Sequence, residues 1–152
     1  MRCAKKIYEI RVKRPAIGTE VYNYLEDCHY TTSEKKPYVL IGTANEEWTI
    51  DEVKLLKTYT AVDGTELDLS SVGEKPVTIK TREAGAIQYF CKQVPIDEKV
   101  QVATSWGEVL TANRDGIEHG DGDYIVSMDQ DFKDSWVVNG MIFGRTYNII
   151  ED

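Results

Sequence analysis

At 152 residues, with ordinary aliphatic and aromatic content, the chain has room for one domain or two closely packed half-domains, and its composition excludes intrinsic disorder. The formal net charge of −8 argues against nonspecific binding to a nucleic-acid backbone, which needs clustered Lys and Arg, but leaves room for a local basic pocket for a small anion. Cys3, Cys28 and Cys91 are odd in number, far apart and outside any CxxC spacing, so neither a disulfide framework nor a zinc site is indicated, and reduced thiols in a cytoplasm fit best.

The opening residues lack the uninterrupted apolar run of a signal peptide, and no segment approaches the roughly 20 apolar residues of a membrane span. A soluble cytoplasmic protein is therefore expected. Residues 7–12 (IYEIRV) alternate apolar and charged side chains, the period of a half-buried strand, before Pro15 and Gly18 break the pattern. Val21–Tyr24 and His29–Thr32 flank a four-residue loop, Leu25–Cys28, and predict a hairpin. A charged loop then leads to the short apolar strand Tyr38–Ile41.

Trp48–Tyr59 (WTIDEVKLLKTY) and Trp136–Tyr147 (WVVNGMIFGRTY) share their interval and most of their informative positions. Each has a β-branched pair after Trp, then Asp51 or Asn139, an apolar Leu55 or Phe143, a cation at Lys57 or Arg145, and a closing Thr-Tyr. Asn139-Gly140 alone reads as a tight hairpin turn, but Asp51-Glu52 at the same place cannot adopt one comfortably. Asp and Asn share a different function, helix N-capping, so short helices are expected over roughly 52–57 and 140–145. The second copy is laid over the first with Val77–Arg82 on the strand at 7–12, a hairpin formed by 100–104 and 108–111, and a strand at 123–126. Insertions at 83–98 and 113–122 take up the difference. The predicted organisation is a first β-rich repeat at 1–61, a polar turn-rich linker at 62–76 ordered against the body, and a second repeat at 77–152. The fold class is α+β and predominantly β, with two related half-domains of short antiparallel strands, each carrying a one-to-two-turn helix.

The run Gly122-Asp123-Tyr124-Ile125-Val126, followed by Trp136-Val137-Val138, Phe143 and Thr146-Tyr147, resembles small phage and prophage modules that carry a PGDY-type turn, a strand–turn–strand and a closing Phe…Thr-Tyr segment. The match covers about 30 residues well and the first copy more weakly. Gly122 stands where the family has Pro, and the first copy has Lys36-Pro37-Tyr38 without Gly-Asp, so the turn chemistry differs between copies. The resemblance implies a compact β-rich accessory module without assigned activity, and it transfers no catalytic residue. A phage setting implies counter-defence or regulation by analogy.

His119, Asp121 and Asp123 alternate beside Glu118 and are ligand types, but their spacing fits no calcium loop, and Gly120 and Gly122 read as turn formers. Neither metal nor cofactor is expected. Only His29 and His119 offer an imidazole base, no nucleophile motif or phosphate loop occurs, and no catalytic residue is assigned. The segment 82–93 interleaves Arg82, Gln88, Tyr89 and Lys92, groups able to stack on a base and hold a phosphate. Trp106, Asn113 and Arg114 adjoin it. These seven residues form the candidate ligand site, on the ground that they lack counterparts in the first copy. The leading functional expectation is a noncatalytic phage-type protein that sequesters a nucleotide-derived small anion, in a counter-defence role. The alternative is a protein-interaction module that blocks or scaffolds a partner, and hydrolysis of a small substrate is a third reading. The basic opening strand and the acidic stretch 118–134 leave self-association open.

Overall fold

The computed structural model describes residues 1–82 and 88–151. In chain order the elements are β1 (Arg2–Lys5), β2 (Glu9–Lys13), β3 (Glu20–Asn23), β4 (Cys28–Thr31), β5 (Tyr38–Ile41), β6 (Glu47–Ile50), α1 (Glu52–Thr58) and β7 (Tyr59–Ala61). A 3-10 turn (Leu69–Ser71) follows, then β8 (Val77–Thr81), β9 (Gln88–Gln93), β10 (Val100–Ala103), β11 (Val109–Ala112), β12 (Tyr124–Ser127), β13 (Ser135–Val138), α2 (Gly140–Thr146) and β14 (Tyr147–Glu151). The α+β, predominantly β class expected from the sequence is present, with two related half-domains and one short helix in each.

The chain forms two compact units. One is Ile7–Glu83, the other Met1–Lys6 together with Ala84–Asp152. The first holds a five-stranded antiparallel sheet of order β6-β5-β2-β8-β7 and the two-stranded hairpin β3-β4. The second holds a sheet of order β13-β12-β9-β1-β14 and the hairpin β10-β11.

Strand register makes the relation exact at residue level. Leu40 faces Trp48 and Val126 faces Trp136, while Thr81 faces Tyr59 and Lys5 faces Tyr147. Ile79 faces Ile10, as Cys3 faces Tyr89. The sequence overlay of Val77–Arg82 on residues 7–12 is therefore corrected by one strand: β8 corresponds to β1, and β9 corresponds to β2. The error has a physical source, since both β1 and β2 are short alternating strands and alternation does not say which sheet position a strand takes. The two repeats have exchanged their first strands, so the compact units are not the same as the sequence segments 1–61 and 77–152.

The core of the Ile7–Glu83 unit gathers Ile10, Val12, Tyr38, Leu40, Leu55, Tyr59, Val72 and Ile79. Val72 belongs to the segment 62–76, which is held to this unit by its side chain and by a hydrogen bond from Arg14 N to Gly73 O of 2.6 Å. The other unit has a cluster of Cys3, Tyr89, Cys91, Val126, Phe143 and Tyr147, and a second of Val94, Val102, Ala112 and Ile125 beneath the β10-β11 hairpin. The hairpin loop expected at 25–28 lies one residue earlier, at 24–27. There Asn23 Oδ1 accepts from the backbone N–H of Leu25 and of Glu26, and Asp27 takes a positive φ of 55°.

Each helix is seven residues long, too short to persist by propensity alone, so its caps and buried face decide its existence. Asp51 accepts from Lys54 N and Asn139 from Met141 N, both at 2.8 Å. Tyr59 N and Tyr147 N donate back to Leu55 O and Phe143 O. Leu55 in one helix, and Ile142 and Phe143 in the other, supply the buried contacts.

Candidate functional site

The seven residues singled out in the sequence are distributed over both units, and most of them have local partners. Residues 83–87 of the segment that carried the argument lie outside the described residues. Arg82 belongs to the Ile7–Glu83 unit, where its Nε and Nη2 donate to Leu56 O at 3.0 and 2.6 Å and Nη2 also meets Glu66 at 2.8 Å. It is not peculiar to the second copy. Lys6 follows β1 as Arg82 follows β8; its backbone N–H donates to Thr146 O and its Nζ to Gly144 O at 2.6 Å. Arg82 N donates to Thr58 O in the same way. Two cations thus terminate the two helices, where free carbonyls and the negative dipole end favour positive charge.

Gln88, Tyr89 and Lys92 also have counterparts. They lie on β9, which occupies the place of β2, so the register matches them to Glu9, Ile10 and Lys13. Gln88 accepts a hydrogen bond from Arg2 at 3.2 Å. The Tyr89 ring is buried edge-on against Trp136 and Tyr147, with centroids 5.8 and 6.0 Å away, and burial pushes its phenol above the ordinary range. Lys92 places its ammonium 4.4 Å from the centroid of Phe132. Tyr124, Phe143 and Tyr147 extend the aromatic group, the first two stacked at 3.7 Å.

A real difference between the copies is the connection after the second hairpin. Residues 113–123 replace the shorter 32–37, and they fold over the start of α2 around a buried polar network. Asn113, at a positive φ of 60°, uses its Nδ2 to bond Val94 O, Pro95 O and Glu98 O, while its Oδ1 accepts from Asp123 N at 2.8 Å. Asp123 accepts from Asn113 N at 2.9 Å, from Gly140 N at 3.0 Å and from His119 Nδ1 at 2.6 Å. His119 Nε2 lies 2.6 Å from Arg114 O, so both ring nitrogens meet oxygen acceptors. This imidazole and this carboxylate are occupied in holding a loop. His29, the other imidazole, is exposed, its ring tilted against that of Tyr22 and its Nδ1 2.9 Å from Glu20.

The same loop explains why the second helix begins with Gly where the first begins with Glu52. A Cβ on Gly140 would run into the carbonyl oxygens of His119 and Gly122, and one on Gly122, at φ 133°, would meet Val94 O. Asn139 completes the closure by donating its Nδ2 to Glu118 O at 2.8 Å.

Among the described residues, two surfaces are suited to binding. Trp106 is 41% exposed in the turn of the β10-β11 hairpin, and Val109, 57% exposed, stands opposite Ala103 on its outer face. Sequence reasoning named Trp106 but not Val109, whose outward place follows from the alternation with buried Leu110. The second surface is a cleft of about 540 Å³ in the Ile7–Glu83 unit, lined by Arg14, Lys35, Pro37 and Tyr38 together with the acids Glu34, Asp51 and Glu52. The Arg14 guanidinium lies 5.3 Å from the centre of the Tyr38 ring. The sequence reading left Arg14 out of the site, although a cation two residues beyond the apolar Val12 and next to Pro15 marks a strand end where side chains reach outward.

Among the described residues no helix is long and apolar enough to cross a membrane. Comparison with known proteins gives no match to a family model, a curated sequence or a solved structure.

Proposed function

We propose that the protein is a noncatalytic binding module that engages another protein through the β10-β11 hairpin. The observation that carries this reading is the exposed Trp106 in the turn and the exposed Val109 on the strand that follows it, on a ribbon whose opposite face is anchored by buried Val102, Leu110 and Ala112. An exposed aromatic on a rigid, anchored element is the usual make-up of an interface anchor, because its large area is buried on binding at small entropic cost. The β3-β4 hairpin of the other repeat also carries partly exposed aromatics, Tyr22 and Tyr24, 40% and 37% exposed, whose hydroxyls donate to Asp27 and to Ala44 O.

A second noncatalytic reading, capture of a small nucleotide-derived anion, is supported by a cleft of ligand-pocket size whose lining includes Arg14 and Lys35, which would have to hold the anion against Glu34, Asp51 and Glu52 in the same lining, since Tyr38 there is a buried core residue. For either reading the phage-type resemblance supplies the setting, counter-defence, as a proposal. A photo-crosslinking residue placed at Trp106, compared in host cells with one at exposed Ile17, separates the readings. Protein binding at the hairpin gives a discrete adduct at 106 that unlabelled protein competes away, whereas equal labelling at both positions refutes it. Anion capture gives a thermal shift with nucleotides that Arg14→Ala removes and Trp106→Ala leaves unchanged.

A further inference from the structure

The exchange of first strands gives each repeat a binding site for a strand of the other. β1 is joined to β2 by residues 6–8, yet it sits between β9 and β14. β8 precedes β9 in the chain, yet it sits between β2 and β7. Each donor places one fully buried side chain in the core that receives it, Cys3 in one and Ile79 in the other. Each is followed by a cation whose backbone N–H and side chain both bond the end of the receiving helix, Lys6 on Thr146 O and Gly144 O, Arg82 on Thr58 O and Leu56 O. Every one of these bonds lies inside one compact unit, and in every case donor and receiver come from different repeats.

We infer that residues 1–74 and 75–152 are mutually complementary polypeptides that bind each other as separate chains by reciprocal strand insertion. The partner that fits each seat is an extended segment with a small or branched apolar residue pointing into the core and a Lys or Arg three residues later. Without its donor, fourth in the order of five, each sheet would have unpaired strand edges on both sides of the gap and an unfilled core position, and the insertion relieves both defects. The covalent connection through 62–76 is then dispensable for holding the two repeats together.

The test uses the full chain with a protease site inserted between the exposed Glu74 and Lys75, cleaved after folding. The cleaved protein is expected to elute as a single species of unchanged size at low micromolar concentration and to separate into two fragments only in denaturant. Ala4→Pro, which deprives β1 of ladder hydrogen bonds, should weaken the association of the cleaved halves by roughly a hundredfold. In the uncut chain the same substitution should remove hydrogen-exchange protection from β9 and β14 and leave β2 and β7 protected, while Ile79→Pro should do the reverse. Separation of the cleaved halves in native buffer overturns the inference. So does loss of protection in β2 and β7 on substituting Ala4, because that outcome means β1 pairs within its own repeat.

Discussion

Replacing Asp123 by Ala tests whether the long loop of the second repeat is held by its buried polar network. The carboxylate accepts three hydrogen bonds, from His119 Nδ1, Gly140 N and Asn113 N, and its side chain is 3% exposed beside a His119 that is 5% exposed. Its removal leaves three buried donors without a partner, at about 1–3 kcal/mol each if none relaxes. Donors left buried and unpaired keep the full desolvation penalty, whereas a site that collapses around the smaller side chain recovers part of it. Water entry and loop relaxation offset part of the sum, so about 4 kcal/mol is expected, against about 2–3 kcal/mol for Asp123→Asn, which keeps the shape and one acceptor oxygen. The surface pair Lys99–Asp115 is the internal control, because its separation is also 2.6 Å while its side chains are 54% and 87% exposed. Asp115→Ala should give no measurable change, since burial and not distance sets the cost. Urea titration in a Trp48→Phe background reads the unit that contains Trp106 and Trp136, which matters because two units need not unfold as one transition. In combination with His119→Ala, the cost of Asp123→Ala should fall by about 1–3 kcal/mol. A cost below about 1 kcal/mol for Asp123→Ala alone, or strict additivity with the histidine, refutes the network.

Gly140→Ala should destabilise the same unit by about 3 kcal/mol or more by driving a methyl group into two backbone carbonyls, whereas Glu52→Ala at the matching position should be near neutral in the same titration. Asp51→Ala should cost about 1 kcal/mol as a lost cap, and Asn139→Ala about 2 kcal/mol because its Nδ2 bond to Glu118 O is lost with the cap. Burial, reinforced by the neighbouring Cys91 thiol, pushes Cys3 up to about 12, so native protein at pH 8 should resist alkylation there until it unfolds, as read by mass spectrometry. The raised value means that the stabilising contribution is complete below the ordinary thiol range and is lost as pH rises through it towards 12, a decline that Cys3→Ser should reduce in alkaline melts. In refolding, the Trp48 signal should recover before that of Trp106 and Trp136, because the Ile7–Glu83 sheet closes within its own segment while the other must pair Arg2 with Glu151. Simultaneous recovery contradicts that order.

Much of the local structure was legible because the sequence states it twice. Asp51 and Asn139 share one chemical ability, capping, and the pair resolves a turn-versus-helix ambiguity that Asn139-Gly140 alone leaves open. The strand partners were not legible. Alternation identifies β1, β2, β8 and β9 as strands, yet nothing in a four-residue alternating segment encodes which neighbours it will have. The mistake at Arg82 followed from this, since an overlay displaced by one strand hides its match with Lys6 and makes a helix-terminating cation look unique. The spacing of a cation directly after each buried strand was the available signal. Asn113, His119 and Asp123 read as polar loop residues for a different reason: their importance lies in simultaneous contacts to 94–98, 114 and 140, a closure that only the folded loop displays.

The strand exchange also changes how position along the chain maps onto stability. A substitution at Cys3 or Ala4 lies in the first repeat by sequence, but its contacts are with Tyr89, Gln88, Asn148 and Ile149, so its effect belongs to the Met1–Lys6 and Ala84–Asp152 unit. A substitution at Ile79 lies in the second repeat and acts on Ile10 and Ala61. Local unfolding follows the contacts and not the sequence boundaries. The two hairpins are exempt, because β3-β4 and β10-β11 are each closed within their own repeat. That separation suits the function proposed for them: the exchanged strands fix the sheets, while the hairpins, whose outer faces carry no sheet pairing, are free to differ between repeats, with Tyr22 and Tyr24 on one and Trp106 and Val109 on the other.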